Sequence, residues 1–178
     1  MIDEAMEFAV KAHEGQLRKG TKRPYIVHPV EVADIVTYIT QDEEIISAAL
    51  LHDTIEDCKG VTKEIIEKRF GKRVAHIVSC ESEDKTKTWK ERKSHTISKL
   101  EKDPFEVQII ALADKLSNLR SIDRDILLIG DKIWERFKMK DKDIIGWYYK
   151  GVRDSLKKSL GQYDAFKEYS GLVDKIFG

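Results

Sequence analysis

Only three prolines, Pro24, Pro29 and Pro104, interrupt a chain of 178 residues, and that scarcity restricts its fold more than any other feature. Proline removes a backbone donor and breaks helices, so proline-free stretches leave helices free to run. Apolar residues in these stretches recur at spacings of three and four, which places them on one helical face. Residues 2–13 carry Ile2, Ala5, Met6, Ala9, Ala12 and His13 in this pattern. Gly15 to Pro29 (GQLRKGTKRPYIVHP) breaks it and reads as a long ordered loop. Pro29 suits the first position of a second helix, marked by Val32, Ala33, Ile35, Val36 and Ile39, and pushes His28 toward an extended conformation. Residues 43–53 (EEIISAALLHD) are acidic at first and then nearly all apolar, which predicts a buried central helix ending near TIEDCKG.

Shorter helices are predicted over 63–70 and 74–80, with Gly71 as the stop between them, and another from Trp89 to Leu100. Asp103-Pro104-Phe105-Glu106 reads as a capping Asp followed by Pro at the first helical position, opening a helix through VQIIALADKLSNLRSI. The last third, with Trp134, Phe137, Trp147, Tyr148, Tyr149, Leu156 and Leu160, predicts two or three more helices. No run alternates as a strand would, so the expected fold is all-α, a single domain over residues 1–178.

Charge and cysteine content narrow the function classes. Lys plus Arg and Asp plus Glu both number 32, a balance that argues against nucleic acid as a partner. No stretch reaches the roughly 18 apolar residues of a membrane span. The N-terminus, MIDEAMEFAVKAHE, is acidic where a signal peptide would be basic. Cys58 and Cys80 form no CxxC pair, so neither a disulfide framework nor a cysteine zinc site is indicated. A cytoplasmic, reduced protein is the expectation.

Potential metal ligands sit in three separate apolar settings: His28 in YIVHP, His52-Asp53 in ALLHDTIED and Asp114 in IIALADKLSNLR. A lone histidine of this kind is most often a hydrogen-bonded core residue. The carboxylates are harder to dismiss, because burying one unpaired is expensive and a divalent cation would offset that cost for both. Two His and two Asp suit Mn, Fe or Zn, with no preference for thiolate. Asp114, Asn118 and Ser121 fall at i, i+4 and i+7, on one face of a helix.

HPVEVADIV, AALLHDTIED and LADKLSNLR, with AHEGQLRKG at 12–20, PYIVHP and FGKRV at 70–74, resemble the HD-domain metal-dependent phosphohydrolases. More narrowly they resemble the hydrolase domain of the RelA/SpoT family and its stand-alone small alarmone hydrolases. The resemblance implies an all-helical fold and one divalent metal, typically manganese. It also implies a small-molecule nucleotide substrate: the 3′-pyrophosphate of guanosine tetra- or pentaphosphate is hydrolysed to give GDP or GTP plus pyrophosphate. Carried over, His28, His52, Asp53 and Asp114 fall on the metal ligands, and Glu56 and Asp57 on the acidic pair that handles the attacking water. Arg18 and Lys19 match a basic pair beside the nucleotide, while Asn118 and Ser121 match polar nucleotide contacts. Ser121 stands where several relatives have Thr, and Ile110-Ala111 and the segment 80–85 also depart from the family pattern.

Two basic runs, Arg18-Lys19-Lys22-Arg23 and Lys85-Lys87-Lys90-Arg92-Lys93, read either as solvated loops or as phosphate-neutralising surfaces. His13 is expected to make a structural hydrogen bond, His76 and His95 to lie on the surface, and Cys58 to be a packing residue with no base beside it. Trp147-Tyr148-Tyr149 reads as core more readily than as a stacking platform. The competing functions are hydrolysis of another phosphorylated nucleotide, such as a 3′-phosphorylated dinucleotide or a nucleoside monophosphate, and a non-catalytic nucleotide-binding module.

Overall fold

The Asp42 carboxylate accepts hydrogen bonds from the Glu44 and Ile45 amides at 2.9 and 3.4 Å. This cap, with Glu43 and Glu44 against the positive helix end, opens the helix that organises the first half of the chain. The computed structural model describes residues 1–80 and 86–178. In order the helices are α1 (Ile2–Ala12), α2 (Val27–Thr37), α3 (Glu43–Leu51), α4 (Thr54–Asp57), α5 (Lys63–Phe70), α6 (Lys72–Cys80), α7 (Trp89–Leu100) and α8 (Phe105–Ile129). A 3₁₀ helix (Gly130–Arg136), α9 (Lys142–Leu160) and α10 (Asp164–Phe177) complete the chain. The fold is all-α, and among the described residues an antiparallel bridge between Leu17 and Pro24 is the sole β-type pairing.

The chain divides into two compact units. One comprises the described residues up to 80 together with Ile109–Asp114 of α8. At its centre lies α3, packed against α1, α2 and α6, with α5 beside α6. Every α3 residue from Ile45 to Leu51 is buried, as its nearly continuous apolar run requires. Facing residues include Ala5 and Ala9 of α1, Val32, Ile35 and Val36 of α2, and Val74, Ile77 and Val78 of α6. The second unit comprises residues 86–108 and Lys115–Gly178, with α9 packed against α7 and α10. Its aromatic core holds Tyr148, Tyr149, Phe166, Tyr169 and Phe177, and the Tyr169 hydroxyl donates to the Tyr149 carbonyl at 2.9 Å.

Two helix starts differ from their sequence reading. Helix α2 begins at Val27, so His28 is helical and Pro29 lies inside the first turn instead of opening it. The first helical amides have no intrahelical acceptor, so a proline anywhere in that turn loses no hydrogen bond. At α8 it is Pro104, extended at ψ 148°, that stands just outside the helix, and no side chain caps it. Asp103 is therefore one residue too early to act as cap; it pairs instead with Lys99 at 3.5 Å. The Trp89–Leu100 helix does start where expected, with Thr88 and Glu91 forming a reciprocal capping box.

Arg73 donates to Asp42 at 2.7 Å, so the residue that caps α3 also ties it to α6. That hydrogen bond, with the cap amides, holds the Asp42 carboxyl below its ordinary value of 3.8. Its stabilisation is present at neutral pH and is lost as acid protonates the folded carboxylate. Asp42→Ala should cost about 1–2 kcal/mol in urea unfolding. Asp42→Asn, which keeps a cap acceptor, should cost less; equal losses would show that the cap contributes little.

Candidate metal centre and active site

Leu51 ends α3 because the chain turns at His52 and Asp53 before starting α4 at Thr54. The turn is held by the Thr54 hydroxyl, which donates to the Leu51 carbonyl at 2.7 Å. It points His52 and Asp53 to one place, where His28 arrives from the first turn of α2 and Asp114 from the middle of α8. His28 Nε2 lies 3.1 Å from Asp114 Oδ1 and 3.6 Å from Asp53 Oδ2. His52 Nε2 lies 3.0 Å from Asp53 Oδ2 and 3.9 Å from Asp114 Oδ1. The ligand atoms of His28, His52 and Asp114 all fall within 4.8 Å of one another.

Three of these side chains are buried, and only Asp53 keeps appreciable exposure, at 22%. His52 Nδ1 donates to the Ala49 carbonyl at 2.8 Å, so Nε2 is the ring nitrogen that faces the carboxylates and, in the neutral ring, turns its lone pair toward them. Nε2 is buried and has no well-directed hydrogen bond, despite its proximity to Asp53. Once that nitrogen gives up any proton, its lone pair, with two carboxylates and a second imidazole, makes a donor set suited to a divalent cation. The four side chains could all ligate a single ion.

Electrostatics agree with that reading. Burial works against charge on His52, but the Asp53 and Asp114 carboxylates prevail and raise its pKa to about 9. Burial also acts to raise the Asp53 carboxyl, yet the His52 imidazole holds it well below the usual carboxylate range. His28 is shifted the other way, lowered by burial. Without an ion, a proton on His52 Nε2 serves the two carboxylates, and the place of that proton is the one a metal ion would take.

Glu56 and Asp57 follow on α4, half-buried and exposed respectively, and the Asp57 charge is felt at the Tyr25 hydroxyl. Arg18 lies 5.5 Å from the centre of the Tyr25 ring, while Lys19 is exposed on the same loop. Asn118 and Ser121 lie further along α8, within the second unit, half-buried. Of the second basic run, Lys93 sits 4.8 Å from the Tyr148 ring centre as a cation–π partner. Lys85 and the divergent segment at 81–85 lie outside the described residues. Tyr148 and Tyr149 are core, while Trp147 is 39% exposed beside a cleft of about 470 Å³ with Ile97, Asp143 and Lys150. His76 and His95 are exposed.

Cys58 is a buried packing residue, as expected, although His13 Nδ1 lies 3.3 Å from its sulfur. That nitrogen donates to Gln16 Oε1 at 2.8 Å, and burial pushes the thiol up to about 11, so the cysteine is not activated. Gln16 in turn donates from Nε2 to the Asp57 carbonyl at 3.0 Å, bracing the acidic pair from the basic loop. Sequence reasoning also missed Tyr25, whose hydroxyl donates to Asp53 Oδ2 at 2.6 Å. Its position three residues before His28 was the available signal.

Adjacent His and Asp at a helix end, joined by a second His and a second Asp from other helices, define a metal-binding class of helical hydrolase folds. The chain belongs to the HD-domain family, whose model matches residues 5–137. Among curated proteins it is similar to guanosine-3′,5′-bis(diphosphate) 3′-pyrophosphohydrolase MESH1 of Xenopus tropicalis, 42% identical over 128 residues and covering 70% of each chain. Among solved structures it is similar to lmo0812 from Listeria monocytogenes EGD-e, with 35% identity and TM-score 0.77, covering 84% of this chain and 98% of that one. A metazoan SpoT ortholog described as hydrolysing ppGpp matches at 30% identity and TM-score 0.77, covering 99% of this chain and 93% of its own. No described helix is long and apolar enough to cross a membrane.

Metal uptake needs His52 neutral, so below pH 9 it should displace the proton held there. His28, lowered, has none to give at neutral pH. Calorimetric Mn titrations near pH 7.5 in buffers of different ionisation enthalpy should report about one proton released per ion. At pH well above 9 the release should vanish. Buffer-independent heats at neutral pH would contradict the pairing.

Proposed function

We propose that the chain is a metal-dependent 3′-pyrophosphohydrolase of guanosine tetra- and pentaphosphate, with one Mn ion held by His28, His52, Asp53 and Asp114. The single observation that carries this reading is the convergence of two imidazoles and two carboxylates within an HD-domain chain similar to hydrolases named for that reaction. The two compact units are read as one functional domain over 1–178, supported by the continuous α8 and by the family match across both. The two free cysteines fit a cytoplasmic setting.

Held by His28, His52, Asp53 and Asp114, the ion would supply Lewis-acid activation of water and of the phosphoryl group. Glu56 and Asp57, on the short helix just past the ligand turn, take the proton from the attacking water and return one to the 3′-oxygen. Water oxygen bonds to the phosphorus carried on O3′, the P–O3′ bond breaks, and the products are a 3′-hydroxyl and pyrophosphate. Arg18 and Lys19 neutralise the phosphates, and Asn118 and Ser121 contact base or ribose.

Incubating the Mn-loaded protein with guanosine tetraphosphate and separating the products tests the reaction. Equimolar GDP and pyrophosphate are expected; orthophosphate as the sole phosphorus product, or turnover only of a different nucleotide, would replace this substrate assignment. Glu56→Gln and Asp57→Asn should each lower kcat by about 10²–10⁴ with metal content intact. Wild-type kcat in both would remove the acidic pair from the mechanism. Arg18→Ala should raise KM severalfold at constant metal content, and an unchanged KM would return that loop to the solvent.

A further inference from the structure

Tyr25 is where the basic loop meets the metal site. Its hydroxyl donates to Asp53 Oδ2 at 2.6 Å, the short distance of a charge-assisted bond. The same oxygen faces both imidazoles, at 3.0 Å from His52 and 3.6 Å from His28. The ring lies 4.8 Å from His13, meets His28 edge-on at 5.8 Å, and carries the Arg18 guanidinium 5.5 Å from its centre. The loop around it is tied down by Tyr25 N–H to the Gln16 carbonyl at 2.9 Å and Arg18 N–H to the Arg23 carbonyl at 2.8 Å. The reversal between them uses Gly20 at φ 71°, a left-handed conformation that glycine adopts without penalty.

We propose that Tyr25 is a positioning residue for the metal centre: its hydroxyl fixes the Asp53 carboxylate, and its ring seats Arg18, so one side chain sets both the ion site and the phosphate site. A carboxylate at the open side of the cluster can rotate unless a neighbour holds it; an imidazole nitrogen that ligates an ion no longer donates to Asp53 Oδ2, whereas the Tyr25 hydroxyl at 2.6 Å still does. A phenol hydroxyl carries its proton at neutral pH, so it is a donor to that carboxylate. The two functions separate chemically, because Phe retains the ring and loses only the hydroxyl.

The proposal rests on the metal reading, and its decisive test needs no nucleotide. Mn is titrated into wild type, Tyr25→Phe and Tyr25→Leu, with free Mn followed by paramagnetic resonance and folding checked by circular dichroism. Tyr25→Phe should weaken Mn binding by about 10–100-fold, the usual effect of losing a hydrogen-bonded support for a ligand. At saturating Mn its KM for guanosine tetraphosphate should equal that of wild type, whereas Tyr25→Leu, without the ring, should also raise KM. Tyr25→Phe binding Mn within about twofold of wild type would overturn the proposal. If Tyr25→Leu does not fold, the Phe variant decides alone. Failure of wild type to bind Mn would overturn the metal reading itself, an outcome distinct from a normal Tyr25→Phe.

Discussion

Two carboxylates brought into a helical core need a cation, and that electrostatic debt organises the first unit of this protein. Asp114 is 6% exposed and comes from the middle of a helix flanked by Ile109, Ile110, Leu112 and Leu116. Asp53 reaches it from the turn after the most apolar helix of the chain. An isolated buried carboxylate would shift its pKa and take up a proton. Here His28 and His52 are placed within 4 Å of both, so the carboxylates can stay charged while imidazole or metal supplies the counter-charge. At the junction of α3 and α4, His52 and Asp53 keep right-handed helical dihedrals, and His52 Nε2 and Asp53 Oδ2 meet at 3.0 Å.

Helices with strong local signals were legible in the sequence. The Trp89 helix has a capping box and the 63–70 helix is bounded by Thr62 and Gly71, and both fall where periodicity and end signals put them. The errors are at prolines. Pro29 and Pro104 mark helix starts to within a couple of residues but do not distinguish a position in the first turn from one just outside it, because neither position needs the missing N–H. His28 was consequently read as extended when it is helical, although its place in the ligand set did not depend on that.

Within the site, the residues that would touch the ion were legible and the residues that hold them were not. Carboxylates after apolar runs are anomalous in sequence, and the order of motifs supplied the rest. Tyr25, Gln16 and the Cys58–His13 contact act across 28, 41 and 45 residues of chain, and no spacing rule links such pairs. Tyr25 in particular sits in a loop between two prolines, where periodicity carries no information. The placement of Asn118 and Ser121 on one face of α8 follows from helical geometry alone, and their contact with nucleotide belongs to the proposed function.

The central claim is that one ion occupies the space among His28, His52, Asp53 and Asp114. Diffraction from Mn-soaked crystals, collected above and below the Mn absorption edge, tests it most directly. The account predicts one anomalous peak per chain within bonding distance of both Nε2 atoms and of an oxygen from each aspartate. A peak elsewhere, or none at this cluster with Mn in excess, would contradict it.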